Sequence, residues 1–210
     1  MLKLLFLTQS GPSVNQIALL QRLGPRNSTR KMKGPIRYTI FPTEWGFFGL
    51  VGSSSGLCRS CLPARRASEV RARLLMQFPT ARLETTYLRP LQESVVAYFA
   101  GQRVDFDLGI PIDLEGLTRF QVSVLETCRR VRYGQTVTYR QLAGLIATAA
   151  AARAVGSALA RNPLPLIVPC HRVLRSDGKL GGFSAPGGIG LKARLLRHER
   201  QWPRAGRAGH

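Results

Sequence analysis

Asn162-Pro163-Leu164-Pro165-Leu166-Ile167-Val168-Pro169-Cys170-His171-Arg172-Val173 is the stretch on which the reading of this 210-residue chain turns. Immediately before it, residues 149–161 are Ala-rich and helical in pattern despite Gly156. That helix must stop at Asn162-Pro163, because proline lacks the amide and clashes with the preceding turn. Leu164 to Val168 is a short apolar run, read as a buried strand that delivers Cys170 and His171. Further upstream, Thr138-Tyr139-Arg140-Gln141 has the form of a capping box, a hydroxyl whose partner amide side chain lies three residues on. It predicts a helix through about Ile146. Two short helices joined by a tight turn, with Arg153 near the start of the second, read as a helix-turn-helix.

Working outward, a helix is predicted over residues 117–131, with Leu117, Phe120, Val124 and Cys128 on one face, which puts Cys128 in the core. Downstream, Ser176-Asp177-Gly178 supplies hairpin-turn chemistry. The glycine-rich stretch 181–188 follows, where the backbone can approach a ligand closely. A last helix, residues 189–200, sets Leu191, Leu195 and Glu199 on one line at four-residue spacing. A carboxylate on an apolar stripe requires a partner inside.

Toward the amino terminus the pattern is mixed. Strands are predicted over residues 37–41 and 46–52 around a Pro42-Thr43-Glu44 turn, and helices over residues 67–78 and 88–99, the second with Leu91, Val95 and Phe99 inward. Val104, Phe106 and Leu108 alternate with Asp105 and Asp107 as in a half-buried strand. The fold class is therefore α+β. A small domain of sheet plus helices (37–108) is joined by a linker (109–116, with Pro111) to a mostly helical domain (117–200) that carries the helix-turn-helix and Pro-Cys-His-Arg-Val. Residues 1–36 show no sustained period, so they are either a disordered basic arm or outside the mature protein, with Met32 as the alternative start; residues 201–210 are a basic tail.

The net charge of +20 is unevenly spread, at +6 over residues 1–36, +1 over 37–126 and +13 over 127–210. An excess confined to one region is the footprint of a phosphate-backbone partner, whereas an arginine-rich proteome would raise every segment alike. No apolar run approaches the roughly 18–20 residues of a membrane span. The four cysteines are too few and too irregularly placed for a disulfide framework, so a reducing, cytoplasmic compartment is expected. Cys58-Arg59-Ser60-Cys61 has ligand-like spacing but no second pair, and no metal or other cofactor is assigned.

A thiol becomes a good nucleophile only when it loses its proton, which requires a nearby cation, helix N-terminus or general base. Cys170 has His171 beside it, but neighbours on an extended strand point to opposite faces, so a bridging water is the expected link. Apart from Asp177, Glu199 is the only acid after Glu126. Reaching His171, it would fix the tautomer and complete a Cys, His and Glu relay.

Taken together, Arg153-Ala154-Val155-Gly156-Ser157-Ala158, Asn162-Pro163, Pro169-Cys170-His171-Arg172-Val173, the glycine-rich loop and Leu195-Leu196-Arg197-His198-Glu199 resemble the O6-alkylguanine-DNA alkyltransferase family. The likeness holds in order and spacing from about Phe120 to Glu199, and only in general character before that. It implies direct, single-use transfer of an alkyl group from O6-alkylguanine in duplex DNA to Cys170, with O4-alkylthymine as a further candidate substrate. The same resemblance gives His171 the role of water-mediated base, Glu199 that of orienting it, and Asn162 that of bracing the turn. Arg153 is similar to the family's arginine finger, on a helix whose Ala152, Ala154 and Gly156 let it press into the minor groove beside a flipped nucleotide. Tyr139 matches the tyrosine that helps rotate the nucleotide. Val173, Phe183 and Ser184 would meet the base. Two departures stand out: Phe183 occupies a position where many relatives carry Tyr, and Ala185-Pro186 lengthens the loop, which bears on the choice of alkyl group. No obligate protein partner is implied, and a monomer is expected.

Three other readings compete. A non-catalytic lesion-binding module would resemble the alkyltransferase-like proteins, which carry Trp at the cysteine position where this chain has Cys170. A cysteine hydrolase leaves Arg153 and the +13 segment without a purpose. A helix-turn-helix regulator needs base-reading side chains along its second helix, which offers almost none besides Arg153.

Overall fold

The computed structural model describes residues 34–106, 109–146 and 152–200. The expectations for residues 1–33, 107–108, 147–151 and 201–210 lie outside them. The described chain is α+β, as its patterning predicts.

Strands β1 (Arg37–Thr43) and β2 (Gly46–Ser53) form an antiparallel hairpin running from Arg37↔Gly52 to Thr43↔Gly46. The turn is Glu44-Trp45, two residues later than the proline suggests. Pro42 stays in the strand because β1's other neighbour, β4 (Arg82–Leu83), pairs only with Arg37 and Tyr38, so the missing amide falls on an open edge. Thr43 Oγ1 donates to the Gly46 carbonyl at 2.6 Å and accepts the Trp45 amide at 3.2 Å, closing the turn.

Strand β3 (Gly56–Ala64) pairs with β2 and contains the Cys58–Cys61 segment, giving the order β3-β2-β1-β4. Arg59, Ser60 and Pro63 obscure its apolar alternation in the sequence. Helix α1 (Ala67–Gln77) covers one sheet face, burying Val70 and Leu74 against Tyr38, Val51 and Ala64. Its approach requires Gly49, where a Cβ would stand 2.5 Å from Val70 Cγ1. Helix α2 (Arg89–Phe99) supplies Leu91, Val95, Tyr98 and Phe99 to the cluster that holds Phe48, Leu50 and Leu57.

That cluster continues without a break into the carboxy-terminal half, taking in Val124, Leu142, Val155, Leu164, Cys170 and Leu195. Residues 104–106, the described part of the alternation that runs from Val104 to Leu108, are not in a strand. Phe106 is buried as the alternation suggests, but no neighbouring strand pairs with its segment, and Asp105 instead accepts the Tyr133 amide at 2.6 Å. The linker lies along the free edge of β3, with the Leu57 amide on the Pro111 carbonyl and the Asp113 amide on the Leu57 carbonyl.

Helix α3 (Arg119–Arg129) is capped by Thr118 and Gln121, and Cys128 is buried on it as predicted. Helix α4 (Tyr139–Gly144) starts at the Thr138/Gln141 capping box. Helix α5 (Ala152–Leu159) buries Val155, Ala158 and Leu159 and ends before Asn162-Pro163. A two-residue parallel pairing of β5 (Val137–Thr138) with β6 (Val173–Leu174) ties the start of α4 to the segment after Cys170.

Leu164 to Val168 is not a strand. Pro163 and Pro165 have no amides to enter a ladder, and the segment folds into a buried turn in which Leu166 takes φ +80° and the Val168 amide returns to the Leu164 carbonyl. Ser176-Asp177-Gly178 does turn, with Gly178 at φ +75°, although no hairpin strand follows among the described residues. Helix α6 (Gly188–Arg200) buries Lys192, Leu195, Leu196 and Glu199 along one stripe.

Candidate active site

Cys170 opens a single 3-10 turn, Cys170–Arg172, instead of sitting on an extended strand, and is 8% exposed. The change matters because a tight turn fans consecutive side chains instead of alternating them. Asn162 braces it: its Nδ2 donates to the Val168 carbonyl at 2.9 Å and to Cys170 Sγ at 3.2 Å, while its Oδ1 accepts the Leu164 amide at 2.9 Å. Burial pushes the Cys170 thiol up, opposed by the Asn162 hydrogen bond, the charge of Lys192 and the backbone amides of Cys170 and His171. The resting group is therefore a thiol.

His171 is fully buried, with Nε2 2.7 Å from Glu199 Oε1 and Nδ1 buried without a protein partner. Burial pulls the imidazole below its usual value, outweighing the carboxylate that favours the cation. A neutral ring beside an ionised carboxylate donates from Nε2, which leaves the Nδ1 lone pair free to take a proton.

Glu199 lies at the centre of the network. It accepts from the Tyr98 hydroxyl at 2.9 Å, the Gly134 amide at 3.0 Å, and Arg172 through Nε (3.0 and 3.2 Å) and Nη2 (3.0 Å). Burial pushes its carboxyl up, but the hydrogen bond and charge of His171 and the Arg172 guanidinium hold it at about 2. Arg172 is its permanent counter-charge, whereas His171 adds one only when the ring is protonated.

Around the thiol, Lys192 Nζ donates to the Val173 carbonyl at 2.6 Å and lies 5.7 Å from the Tyr139 ring centroid. The Tyr139 ring lies against Gly156 of α5 and Gly181 of the loop, where a Cβ would fall 2.4 Å from its hydroxyl oxygen. Val173 is buried behind the turn, Phe183 packs on the core, and Ser184 is exposed on the loop. Arg153 and Ala154 stand exposed on α5, with Ala152 and Gly156 half-buried beside them. Cys170, Asn162, His171, Glu199 and Val173 are thus brought together with Tyr139 at their side, while Arg153 and Ser184 project from neighbouring surface.

The profile of "6-O-methylguanine DNA methyltransferase, DNA binding domain" matches residues 119–201. A "Methylated-DNA--protein-cysteine methyltransferase" of Methanosarcina acetivorans is 35% identical over 163 residues, covering 77% of this chain and 97% of the relative. The chain belongs to that family. The protein of the same name from Methanothermobacter thermautotrophicus is 41% identical over 112 residues; the match covers 53% of this chain and only 61% of the relative. Among solved structures, Mycobacterium tuberculosis OGT in complex with DNA matches with a TM-score of 0.63 at 33% identity, covering 78% of this chain and 92% of that one.

For this member of the family, the sequence reading names Cys170, His171, Glu199 and Asn162 but misses three groups around them. Lys192 was legible, since with Leu195, Leu196 and Glu199 it completes an i, i+3, i+4, i+7 stripe. Tyr98 was too, at seven residues from Leu91 on the inward face of α2. Arg172 carried no local signal, because a cation in a turn is ordinarily solvated; here it is 2% exposed. Among the described residues no cluster of three or more metal-ligating side chains occurs, and no helix is long and apolar enough to cross a membrane.

Proposed function

We propose that this chain repairs duplex DNA by moving the alkyl group of O6-alkylguanine onto Cys170, once per molecule, in the cytoplasm. The observation that carries this reading is the Asn162 amide 3.2 Å from Cys170 Sγ, with the neutral His171 ring held from behind by Glu199 and Arg172. The thiol proton passes through water to His171 Nδ1, giving an imidazolium that Glu199 stabilises. The sulfur lone pair forms the S–C bond as the C–O6 bond breaks, and its electrons pass into the guanine, which takes up a proton at ring nitrogen. The product is a thioether, which water does not hydrolyse at a useful rate, so the cysteine is spent.

The chemistry needs the base outside the stack. The exposed face of α5 supports this step, since Ala154 and Gly156 allow close approach to the minor groove and Arg153 can enter the space the nucleotide vacates. In the same reading, Tyr139 helps rotate the nucleotide, while Val173, Phe183 and Ser184 meet the base. The +13 charge of residues 127–210 supplies the phosphate attraction, and the chain acts as a monomer.

Duplex DNA carrying O6-methylguanine, mixed with the protein and with Cys170→Ser, tests this by mass spectrometry of the Cys170 peptide. One methyl per protein, on Cys170 alone, with guanine restored, is expected. Tight binding without transfer would make the chain a lesion sensor instead.

A further inference from the structure

Ser60 is a polar residue of β3, 2% exposed, that the chemistry above does not use. Strand β3 lies at the edge of the sheet, paired with β2 on one side. Toward the open side, the Ser60 amide donates to the Pro163 carbonyl at 3.1 Å and its hydroxyl donates to the Pro165 carbonyl at 2.7 Å. These carbonyls belong to the irregular turn that leads to Cys170, where no ladder satisfies them and each needs a donor.

The Pro165 carbonyl has a particular position. It lies in the peptide plane that joins Pro165 to Leu166, and Leu166 takes φ +80°, the left-handed region that a side-chain-bearing residue holds only when its surroundings enforce it. Fixing that carbonyl fixes the plane. Two residues on, Val168 presents the carbonyl that Asn162 Nδ2 grips at 2.9 Å while the same nitrogen reaches Cys170 Sγ at 3.2 Å. A rotation of the 165–166 peptide toward a relaxed φ therefore displaces Val168 and withdraws the amide from the sulfur.

We propose that Ser60, from the amino-terminal sheet, is a positioning residue that locks the Pro165–Leu166 peptide and, through it, the Asn162 contact on the Cys170 sulfur. The sheet is then part of the apparatus that prepares the nucleophile. The Asn162 hydrogen bond is the strongest influence opposing the burial that pushes the thiol up, so its loss has a direct readout in thiol reactivity.

The test uses the full chain and iodoacetamide, following modification of the Cys170 peptide across pH. In Ser60→Ala the midpoint of the pH–rate curve rises and the rate at neutral pH falls about fivefold, the scale of one lost hydrogen bond. Ser60→Cys, which keeps the volume with a weaker donor, shifts it by less. In an Asn162→Ala background, Ser60→Ala adds no further shift, because the link it acts through is already gone. A folded Ser60→Ala with an unmoved midpoint, or an equal shift in both backgrounds, overturns the proposal. Should Ser60→Ala not fold, Ser60→Cys must still raise the midpoint. The inference rests on Cys170 being the nucleophile, and methyl transfer by the unaltered protein, run in parallel, separates failure of that reading from failure of this one.

Discussion

Arg172 closes Nε and Nη2 on the carboxylate of Glu199 at 3.0 to 3.2 Å, with both side chains at most 2% exposed. The ion pair is buried within the turn that carries Cys170, and it lets Glu199 keep its charge while His171 stays neutral.

Glu199→Gln keeps the volume but removes the guanidinium's buried counter-charge, leaving only the more exposed Asp105 carboxylate at 4.0 Å. Loss of one partner of a buried pair costs about 3–5 kcal/mol, so thermal denaturation should show a large drop. Transfer to Cys170 in the surviving folded protein should slow by about 10² or more, since the ring loses its orientation and the developing cation its stabiliser. Single-turnover kinetics below the melting temperature separate the two effects, and an unchanged rate would remove Glu199 from the relay.

Stability should fall on acidification in two stages. The Glu199 carboxyl is held at about 2 against an ordinary 4.5, so the folded state binds fewer protons than the unfolded chain. Its contribution is complete above about pH 4.5 and is lost as pH falls toward 2. His171 is shifted down from 6.5, so it too favours the folded state above about pH 6.5 and loses that contribution below it. Melting curves from pH 8 to 2 should follow this course, and Glu199→Gln should flatten the lower stage.

Alkylation itself should loosen the fold. Cys170 is 8% exposed and contacts Asn162 directly, so a methyl on sulfur crowds the site and leaves the amide a weaker acceptor. Overpacking of this kind costs about 1–3 kcal/mol, several degrees of Tm. Equal melting temperatures for the free and S-methylated proteins would refute the idea.

Arg153→Ala should separate flipping from binding. The side chain is exposed on α5, and its loss removes one charge from a strongly basic half. Overall affinity should weaken modestly, with the salt slope reduced by about one. Transfer from duplex DNA should fall by about tenfold or more, because unstacking costs a few kcal/mol that the finger offsets. A fluorescent base analogue opposite the lesion reports flipping directly, and equal losses in binding and flipping would exclude the finger role.

Much of this site was legible along the chain. The Thr138/Gln141 cap, the stop at Asn162-Pro163 and the Glu199 stripe are local, set by hydrogen-bonding groups and spacings within a few residues. They located Cys170, His171, Glu199 and Asn162 without coordinates. Periodicity, however, reports which face is buried and never what it is buried against. The Tyr98 hydroxyl on Glu199 joins residues 101 apart, the Ser60 hydroxyl on Pro165 joins residues 105 apart, and Arg172 is held by Glu199 of α6 together with the Val131 carbonyl, 41 residues upstream. The same limit explains the two misread strands. Val104 to Leu108 alternate as a strand does, but among the described residues no strand pairs with 104–106, and Leu164 to Val168 is apolar enough but lacks amides at its prolines. The sequence by itself determined the helices, the Thr138/Gln141 cap and the candidate site residues, because those depend on local chemistry. Tertiary structure decided the counter-charge of Glu199 and the conformation of the turn that holds Cys170, because both depend on long-range hydrogen bonds that form only when the two halves of the core close.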